Sequence, residues 1–352
     1  MEAAADTLMS PLERYPVLGI CGCSGAGKTT LIEDLIPRLQ SIGLRVAVVK
    51  HGAHNVHIDT PGKDSDRFFR AGADVSLFGE ECFTRRHGQG DFTFFLINLC
   101  ASNDLVLVEG HASTAIPKIW LLGQGHAAPP DNRGPVLEIL TRQQADADLV
   151  FPYLQQWLNK KWQLIPVWGC VLIGGRSRRM GRPKHLIALD DKTWLEHAVD
   201  KMGSLVDQVV LSGRGHVPDS LASLSRVPDA PGLAGPLAGI LAVMRWQPAV
   251  SWLVMACDQP DVKAESLQWL LDSRRPGVHA ILPDLQADGH VEPLLAWYDY
   301  RSRSLLEEIA ASGSLRISRL AGQAGIHHLQ PPSHLHSCWH NVNTPGELEK
   351  LK

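Results

Sequence analysis

Short apolar runs that read as buried strands alternate along this chain with longer stretches in which leucines recur at helical spacing. Val17-Leu18-Gly19-Ile20-Cys21 predicts a first strand. From Thr29 to Ile42, Leu31, Leu35 and Leu39 fall on one helical face, and Gly43 supplies a stop. Arg45-Val46-Ala47-Val48-Val49 returns to strand, and Leu105-Val106-Leu107-Val108-Glu109 is another buried strand, ending in a carboxylate. Between about residues 149 and 166, Phe151 to Trp162 predicts a closing helix and a short linker. The rhythm restarts at Val167. Strands are expected near Cys170–Ile173, Val209–Leu211 and Trp252–Ala256, with helices near Trp194–Met202 and Leu237–Arg245. The βαβ order predicts an α/β protein of two doubly wound domains, 1–160 and 161–352, each a mostly parallel sheet with helices on both faces.

Composition narrows the setting. The 352 residues suffice for two cores, and 44% hydrophobic with 20% charged residues is ordinary for a soluble chain. A net charge of -3 gives no overall basic field, so nucleic acid is not an expected partner. No apolar run approaches the roughly 18–20 residues that span a bilayer, and no membrane association is expected. The first residues lack the basic-then-apolar order of a secretion signal. Seven cysteines without a C-x-x-C pair suit reduced thiols, so a cytoplasmic location is expected.

Candidate chemistry begins directly after the first strand. Gly22-Cys23-Ser24-Gly25-Ala26-Gly27-Lys28-Thr29, followed by Thr30, is a full G-x-x-x-x-G-K-[ST] loop opening a helix. Such a loop turns backbone N–H groups onto phosphates; Lys28 reaches the β/γ-phosphates and Thr29 offers its hydroxyl to Mg²⁺. Glu109, at the end of a neighbouring strand, is a candidate metal contact. The polar loop after the next strand carries His51, His54 and His57, which invite a metal-ligand reading, and Asp59, a candidate neighbour of a metal. No N-K-x-D tetrapeptide marks this half as a guanine reader.

A second loop follows the strand that restarts the rhythm. Leu172-Ile173-Gly174-Gly175 leads into Arg176, Arg178, Arg179, Arg182 and Lys184, five cations around glycines. A triphosphate carries about four negative charges, so this loop is suited to neutralise it and to follow charge onto departing pyrophosphate. Lys184, Arg179 and Asp258 form the candidate catalytic set. Asp258 ends the predicted strand Trp252–Ala256 and is the leading metal ligand, because ligands of open sheets bind along that edge. Asp229 is a second carboxylate at a strand end, and Gly235-Pro236-Leu237-Ala238-Gly239 opens a helix beside it.

The run of P-loop, Lys50-His51-x-x-His54, Asp59-x-Pro61-Gly62-Lys63-Asp64-Ser65, Leu107-Val108-Glu109-Gly110 and Ile116-Pro117-Lys118-Ile119 resembles the molybdopterin-guanine dinucleotide biosynthesis adaptor (MobB) family over about residues 15–160. The resemblance implies a GTP-binding domain of weak hydrolytic activity that assists a partner enzyme and allows a homodimer through this domain. His111-Ala112 stands where that family often has an aromatic residue and a lysine. From Val167 onward, the second loop together with Asn341-Val342-Asn343-Thr344-Pro345-Gly346-Glu347-Leu348 resembles the molybdenum cofactor guanylyltransferase (MobA) family. Carried across, Leu172, Ile173, Gly174, Gly175, Lys184, Ser212, Asp229 and Asp258 would hold GTP, with Asp258 on Mg²⁺. Asn341, Asn343 and Arg316 would lie on the pterin side. Ile173 replaces an alanine of the family pattern and adds bulk near the base. Ser212, after the third strand, replaces an asparagine. The double glycine favours guanine over the A-A-G of cytidylyl-transferring relatives.

These resemblances imply a bifunctional protein of molybdenum cofactor biosynthesis. Its C-terminal domain would transfer GMP from GTP to Mo-molybdopterin, giving molybdopterin guanine dinucleotide and pyrophosphate. Its partners would be molybdopterin, cofactor-inserting proteins and molybdoenzyme apoproteins. Three alternatives stay open: transfer of a cytidylyl or other nucleotidyl group; a P-loop metallochaperone using Cys23 and the three histidines; and a first domain that only tethers the enzyme to a client.

Overall fold

A computed structural model of the chain describes residues 11–50, 60–88, 90–123, 129, 134–174 and 180–349. The chain divides into two compact units, Met1–Gln156 and Trp157–Lys352.

In the first unit, β1 (Val17–Gly22), α1 (Lys28–Ser41) and β2 (Val46–Lys50) follow the expected order. A short helix α2 (Asp64–Arg70) and a separate antiparallel ribbon, β3 (Val75–Phe78) with β4 (Cys82–Arg85), come next. They are followed by α3 (Phe92–Cys100), β5 (Leu105–Glu109), β6 (Lys118–Leu121) and β7 (Val136–Leu140), and then by α4 (Ala147–Gln163), whose residues from Trp157 on belong to the second unit. The sheet runs β2-β5-β1-β6-β7, all parallel. Its central strands are continuous apolar runs because both faces are covered. Val17, Val106 and Val108 pack on Leu96 and Cys100 of α3, while α1 buries Leu31, Leu35 and Leu39, the stripe legible in the sequence. Each such leucine contributes about 1.5–3 kcal/mol by leaving water.

The second unit begins its sheet with β8 (Val167–Leu172). A small hairpin of β9 (Ala188–Leu189) and β10 (Lys192–Thr193) leads into α5 (Trp194–Gly203), whose start is fixed by a Thr193–Glu196 capping box. Then come β11 (Gln208–Ser212), β12 (Ser225–Val227), α6 (Pro236–Trp246), β13 (Ser251–Ala256) and α7 (Ala264–Asp272). The last elements are β14 (Ala280–Pro283), β15 (Leu295–Tyr298), α8 (Ser302–Ala311), β16 (Ile326–Leu329) and α9 (Pro345–Glu349). The sheet order is β12-β11-β8-β13-β15-β14-β16. All its pairings are parallel except those of β15, which runs against both β13 and β14.

Helix α6 is buried from Leu237 through Met244, apolar all round, as a helix clamped in a core should be. It packs with α8 over Cys170, Val210, Trp252 and Val254. Gly169 lets α5 close on β8: a Cβ there would sit 2.1 Å from Met202 Sδ. Directly after β15, Asp299 and Arg301 form a fully buried ion pair at 2.5 Å, and the guanidinium lies 4.3 Å from the Trp162 ring centre. At the β14–β15 turn, Asp284 bridges to Val291 and accepts from the N–H groups of Asp288 and Gly289.

Candidate functional site

In the first unit the loop after β1 wraps in front of α1. Gly25 and Gly27 have φ of 74 and 93°, a left-handed region open to glycine. Gly22 has φ 137°, and a Cβ there would meet the Leu121 carbonyl oxygen at 2.2 Å. Lys28 Nζ donates to the carbonyls of Gly22 and Cys23, at 3.1 and 2.7 Å, so the lysine folds over its own loop. Thr29 Oγ1 donates to Glu109 Oε1 at 2.8 Å, and Glu109 Oε2 lies 3.5 Å from Lys50 Nζ. The parallel register that sets Ile20 beside Glu109 brings these groups together at one sheet edge. Cys21 Sγ donates to Gly110 at 3.0 Å, and burial pushes this thiol up. Ser24, Ala26 and Thr30 belong to the same loop and first turn of α1. His51, His54, His57 and Asp59 lie outside the described residues. Among the described residues no group of three His, Cys, Asp or Glu side chains is placed to hold a metal.

The second unit assembles its site from three distant segments. Lys184 Nζ donates to Asp258 Oδ2 at 2.8 Å and to Asn343 Oδ1 at 2.7 Å. Asp258 follows β13 at the carboxyl edge of the parallel strands, where the sheet leaves room for ligands. The Lys184 and Asp258 side chains are 15% and 22% exposed, screened yet reachable. Val342 N–H donates to the Asp258 carbonyl at 2.9 Å, so the segment carrying Asn341 and Asn343 is tied to the end of β13. Val342 also joins Met180, Ile187 and Trp194 in a small apolar cluster with Leu348 against it. Glu347 accepts from the N–H groups of Asn343 and Thr344 at 2.6 and 3.2 Å, which holds its carboxyl below the usual carboxylate range. Lys201 reaches from α5 to the Pro260 carbonyl at 3.0 Å and braces the loop behind Asp258.

The expected nucleotide-facing residues fall into different surroundings. Ile173, expected within the strand, lies one residue past β8 and is 1% exposed; its N–H donates to Ser212 at 2.7 Å. Its extra bulk therefore enters the core. Ser212 closes β11, the second strand along the chain of this unit's seven-stranded sheet, and its buried hydroxyl donates to Gly239 at 3.0 Å. Gly213 has φ 117° and approaches Ile173 so closely that a Cβ would sit 1.6 Å from its carbonyl oxygen. Asp229, exposed, follows β12, and a Cβ on Gly239 would lie 3.7 Å from its Oδ1 and 2.8 Å from Leu172 Cδ2. Arg316 is exposed after α8, and Gly174 precedes the cationic loop. Gly175, Arg176, Arg178 and Arg179 lie outside the described residues; Arg182 is exposed. Glu347 and Lys201 are absent from the sequence-derived set. Thr344-x-x-Glu347 is the sequence sign of the first, while Lys201 leaves none.

Fold and site together define a nucleotidyltransferase joined to a P-loop domain. Residues 169–327 match the family of the MobA-like NTP transferase domain, and residues 17–140 match the molybdopterin guanine dinucleotide synthesis protein B family. The chain is 31% identical over 186 residues to the "Probable molybdenum cofactor guanylyltransferase" of Bacillus cereus (strain Q1), covering 51% of this chain and 92% of that protein. It is 40% identical over 163 residues to the molybdopterin-guanine dinucleotide biosynthesis adapter protein of Haemophilus influenzae, covering 42% of this chain and 91% of that one. A solved structure of molybdopterin-guanine dinucleotide biosynthesis protein A from Archaeoglobus fulgidus is similar at 27% identity and a TM-score of 0.45, over 52% of this chain and 95% of that one. The chain belongs to the molybdenum cofactor guanylyltransferase family through its C-terminal part and to the MobB family through its N-terminal part. Among the described residues no helix is long and apolar enough to cross a membrane.

Proposed function

We propose that the chain is a bifunctional protein of molybdenum cofactor biosynthesis, divided into a GTP-binding adaptor domain (1–160) and a guanylyltransferase domain (161–352). In the second domain a terminal phosphate oxygen of Mo-molybdopterin attacks the α-phosphorus of GTP. A new phosphoanhydride bond forms, the bond to the β-phosphate oxygen breaks, and pyrophosphate leaves. The attacking oxygen is already anionic, so the step calls for charge neutralisation and alignment more than for a base.

The observation that carries this reading is Lys184 held between Asp258 and Asn343 at the carboxyl edge of the sheet. The ammonium would receive phosphate charge, and Asn343 would keep it aimed when the phosphates arrive. Asp258 fits a hard divalent cation: it is a carboxylate whose Oδ2 is engaged by Lys184, with Oδ1 uncommitted among the described residues. Mg²⁺ bound there would draw the two reacting phosphates together against their mutual repulsion. In the first domain Thr29 and Glu109 supply oxygen donors of the same kind beside the P-loop. GTP and the pterin are the expected small-molecule partners, with molybdoenzyme apoproteins receiving the product.

The test is incubation of the full chain with Mg²⁺, a molybdopterin acceptor and either GTP or CTP. A guanylated pterin and stoichiometric pyrophosphate are expected from GTP. A cytidylated product from CTP with none from GTP would overturn the assignment of base.

A further inference from the structure

We infer that Glu347 is a positioning residue of the transfer site, acting through Asn343 on Lys184. The inference rests on the transferase reading above and adds a residue to it. One carboxylate oxygen, Glu347 Oε2, accepts from the consecutive amides of Asn343 and Thr344, and Thr344 Oγ1 accepts the Glu347 N–H at 3.3 Å in return. This reciprocal cap fixes the backbone from which the Asn343 side chain departs. The Asn343 carboxamide oxygen then accepts from Lys184 Nζ at 2.7 Å, opposite the Asp258 carboxylate.

Asparagine has few intrinsic reasons to hold one rotamer on a surface turn. Asn343 is only half-buried, and its amide nitrogen meets the Asn341 carbonyl at a long 3.5 Å. The fixed backbone is what aims it. Without Asn343 on one side, Lys184 keeps, among the described residues, the Asp258 contact alone, and its ammonium is drawn toward the group that is to hold the cation. Glu347 therefore governs where the positive charge waits before the triphosphate binds, although it touches neither Lys184 nor Asp258.

The segment is also anchored independently of this carboxylate. Val342 is buried with Met180, Ile187 and Trp194, Leu348 packs against them, and the Val342 amide holds the Asp258 carbonyl. Replacing Glu347 should thus leave the segment in place and alter only the aim of Asn343.

The experiment compares Glu347→Ala, Glu347→Gln, Asn343→Ala and the Glu347→Ala/Asn343→Ala double variant in the full chain, measuring GMP transfer with GTP titrated, and thermal unfolding. Glu347→Ala and Asn343→Ala should each lose about tenfold to a hundredfold in kcat/KM for GTP, as expected for a misplaced catalytic group. The double variant should fall no further than the worse single one, because both changes remove the same link. Glu347→Gln, which keeps an acceptor oxygen, should recover to within about twofold of the wild-type chain. All should unfold together. Wild-type-like Glu347→Ala, losses that multiply in the double variant, or a Gln variant as poor as the Ala variant would each overturn the inference while leaving the transferase reading intact. A wild-type chain that transfers no GMP would overturn both.

Discussion

Thr29, the second residue of α1, donates its hydroxyl to Glu109 at the end of β5, 80 residues further along, at 2.8 Å. This bond ties the P-loop segment to the carboxylate at the end of β5, and it sets the first prediction. Lys28→Ala should remove GTP binding at the P-loop and reduce the stoichiometry of a fluorescent GTP analogue from two per chain to one. Transfer by the second unit should change by no more than about twofold if the sites are energetically independent. A stoichiometry that does not change would show that the P-loop does not hold GTP. A drop in molybdoenzyme loading in cells carrying this variant would show that the first unit assists by using nucleotide; full loading would leave tethering as its role.

Lys184→Ala and Asp258→Asn should each lower GMP transfer by about 10²–10³-fold, the usual loss on deleting a preorganised electrostatic group. Stability should fall far less than transfer does. The pair is largely screened but not fully buried, so its loss should stay below the about 3–5 kcal/mol of breaking a fully buried pair. Pyrophosphate release and thermal unfolding, measured on the same preparations, separate the two effects. A parallel collapse in unfolding temperature would make the pair structural.

Glycines of the first loop should differ in what they tolerate. Gly25→Ala meets open space but keeps φ 74°, so it should cost about 1–2 kcal/mol. Gly22→Ala would press its Cβ to within 2.2 Å of the Leu121 carbonyl oxygen, which belongs to the sheet and cannot swing away. It should cost more than Gly25→Ala in urea unfolding of the full chain, and equal costs would contradict the packing.

His185, next to Lys184, is 5% exposed and donates or accepts through Nε2 with the His216 carbonyl at 2.9 Å. Because that partner is a carbonyl, Nε2 carries the proton and donates. Burial outweighs this hydrogen bond and holds the imidazole pKa below its ordinary 6.5. The unfolded chain therefore takes up a proton first as pH falls. The stability His185 contributes is complete above about pH 6.5 and declines below it, through the folded pKa. Urea midpoints from pH 8 to 5 should fall more steeply for the wild-type chain than for His185→Gln. Parallel curves would show that the imidazole is not held neutral.

Asp299→Ala should be the most damaging of these substitutions for stability, at about 3–5 kcal/mol, because it leaves the Arg301 charge buried without its carboxylate. Replacing both residues with apolar ones should recover much of that loss, as judged by thermal unfolding. If the double replacement is no better than Asp299→Ala, the pair does more than satisfy its own charges.

Much of the architecture is legible in the sequence because central strands of a covered sheet are unbroken apolar runs. Leu105–Val108 is fully buried as the pattern implies, and α1 buries Leu31, Leu35 and Leu39. The ribbon of β3 and β4 is not legible, since Leu77, Phe78 and Phe83 are exposed and hydrophobicity there does not report burial. Nor does a run such as Leu295-Ala296-Trp297-Tyr298, buried on both faces, reveal that its strand is reversed. At the site, Lys184 and Asp258 announce themselves as a cation after a glycine loop and a carboxylate after a strand. The hydroxyl of Ser212 gives no sign that it will turn toward Gly239, because that depends on how closely α6 approaches. Glu347 caps a helix too short to have periodicity, so only its spacing from Thr344 marks it.

The reversed strand β15 has one further consequence. Running against β13, it begins where β13 ends, so the turn from Asp284 to Leu294 opens onto the same rim as Asp258 while hanging from different strands. Insertions or drift in that turn leave the lysine and aspartate untouched. Evolution can therefore retailor what is presented to the rim without breaking the Lys184–Asp258 and Lys184–Asn343 contacts.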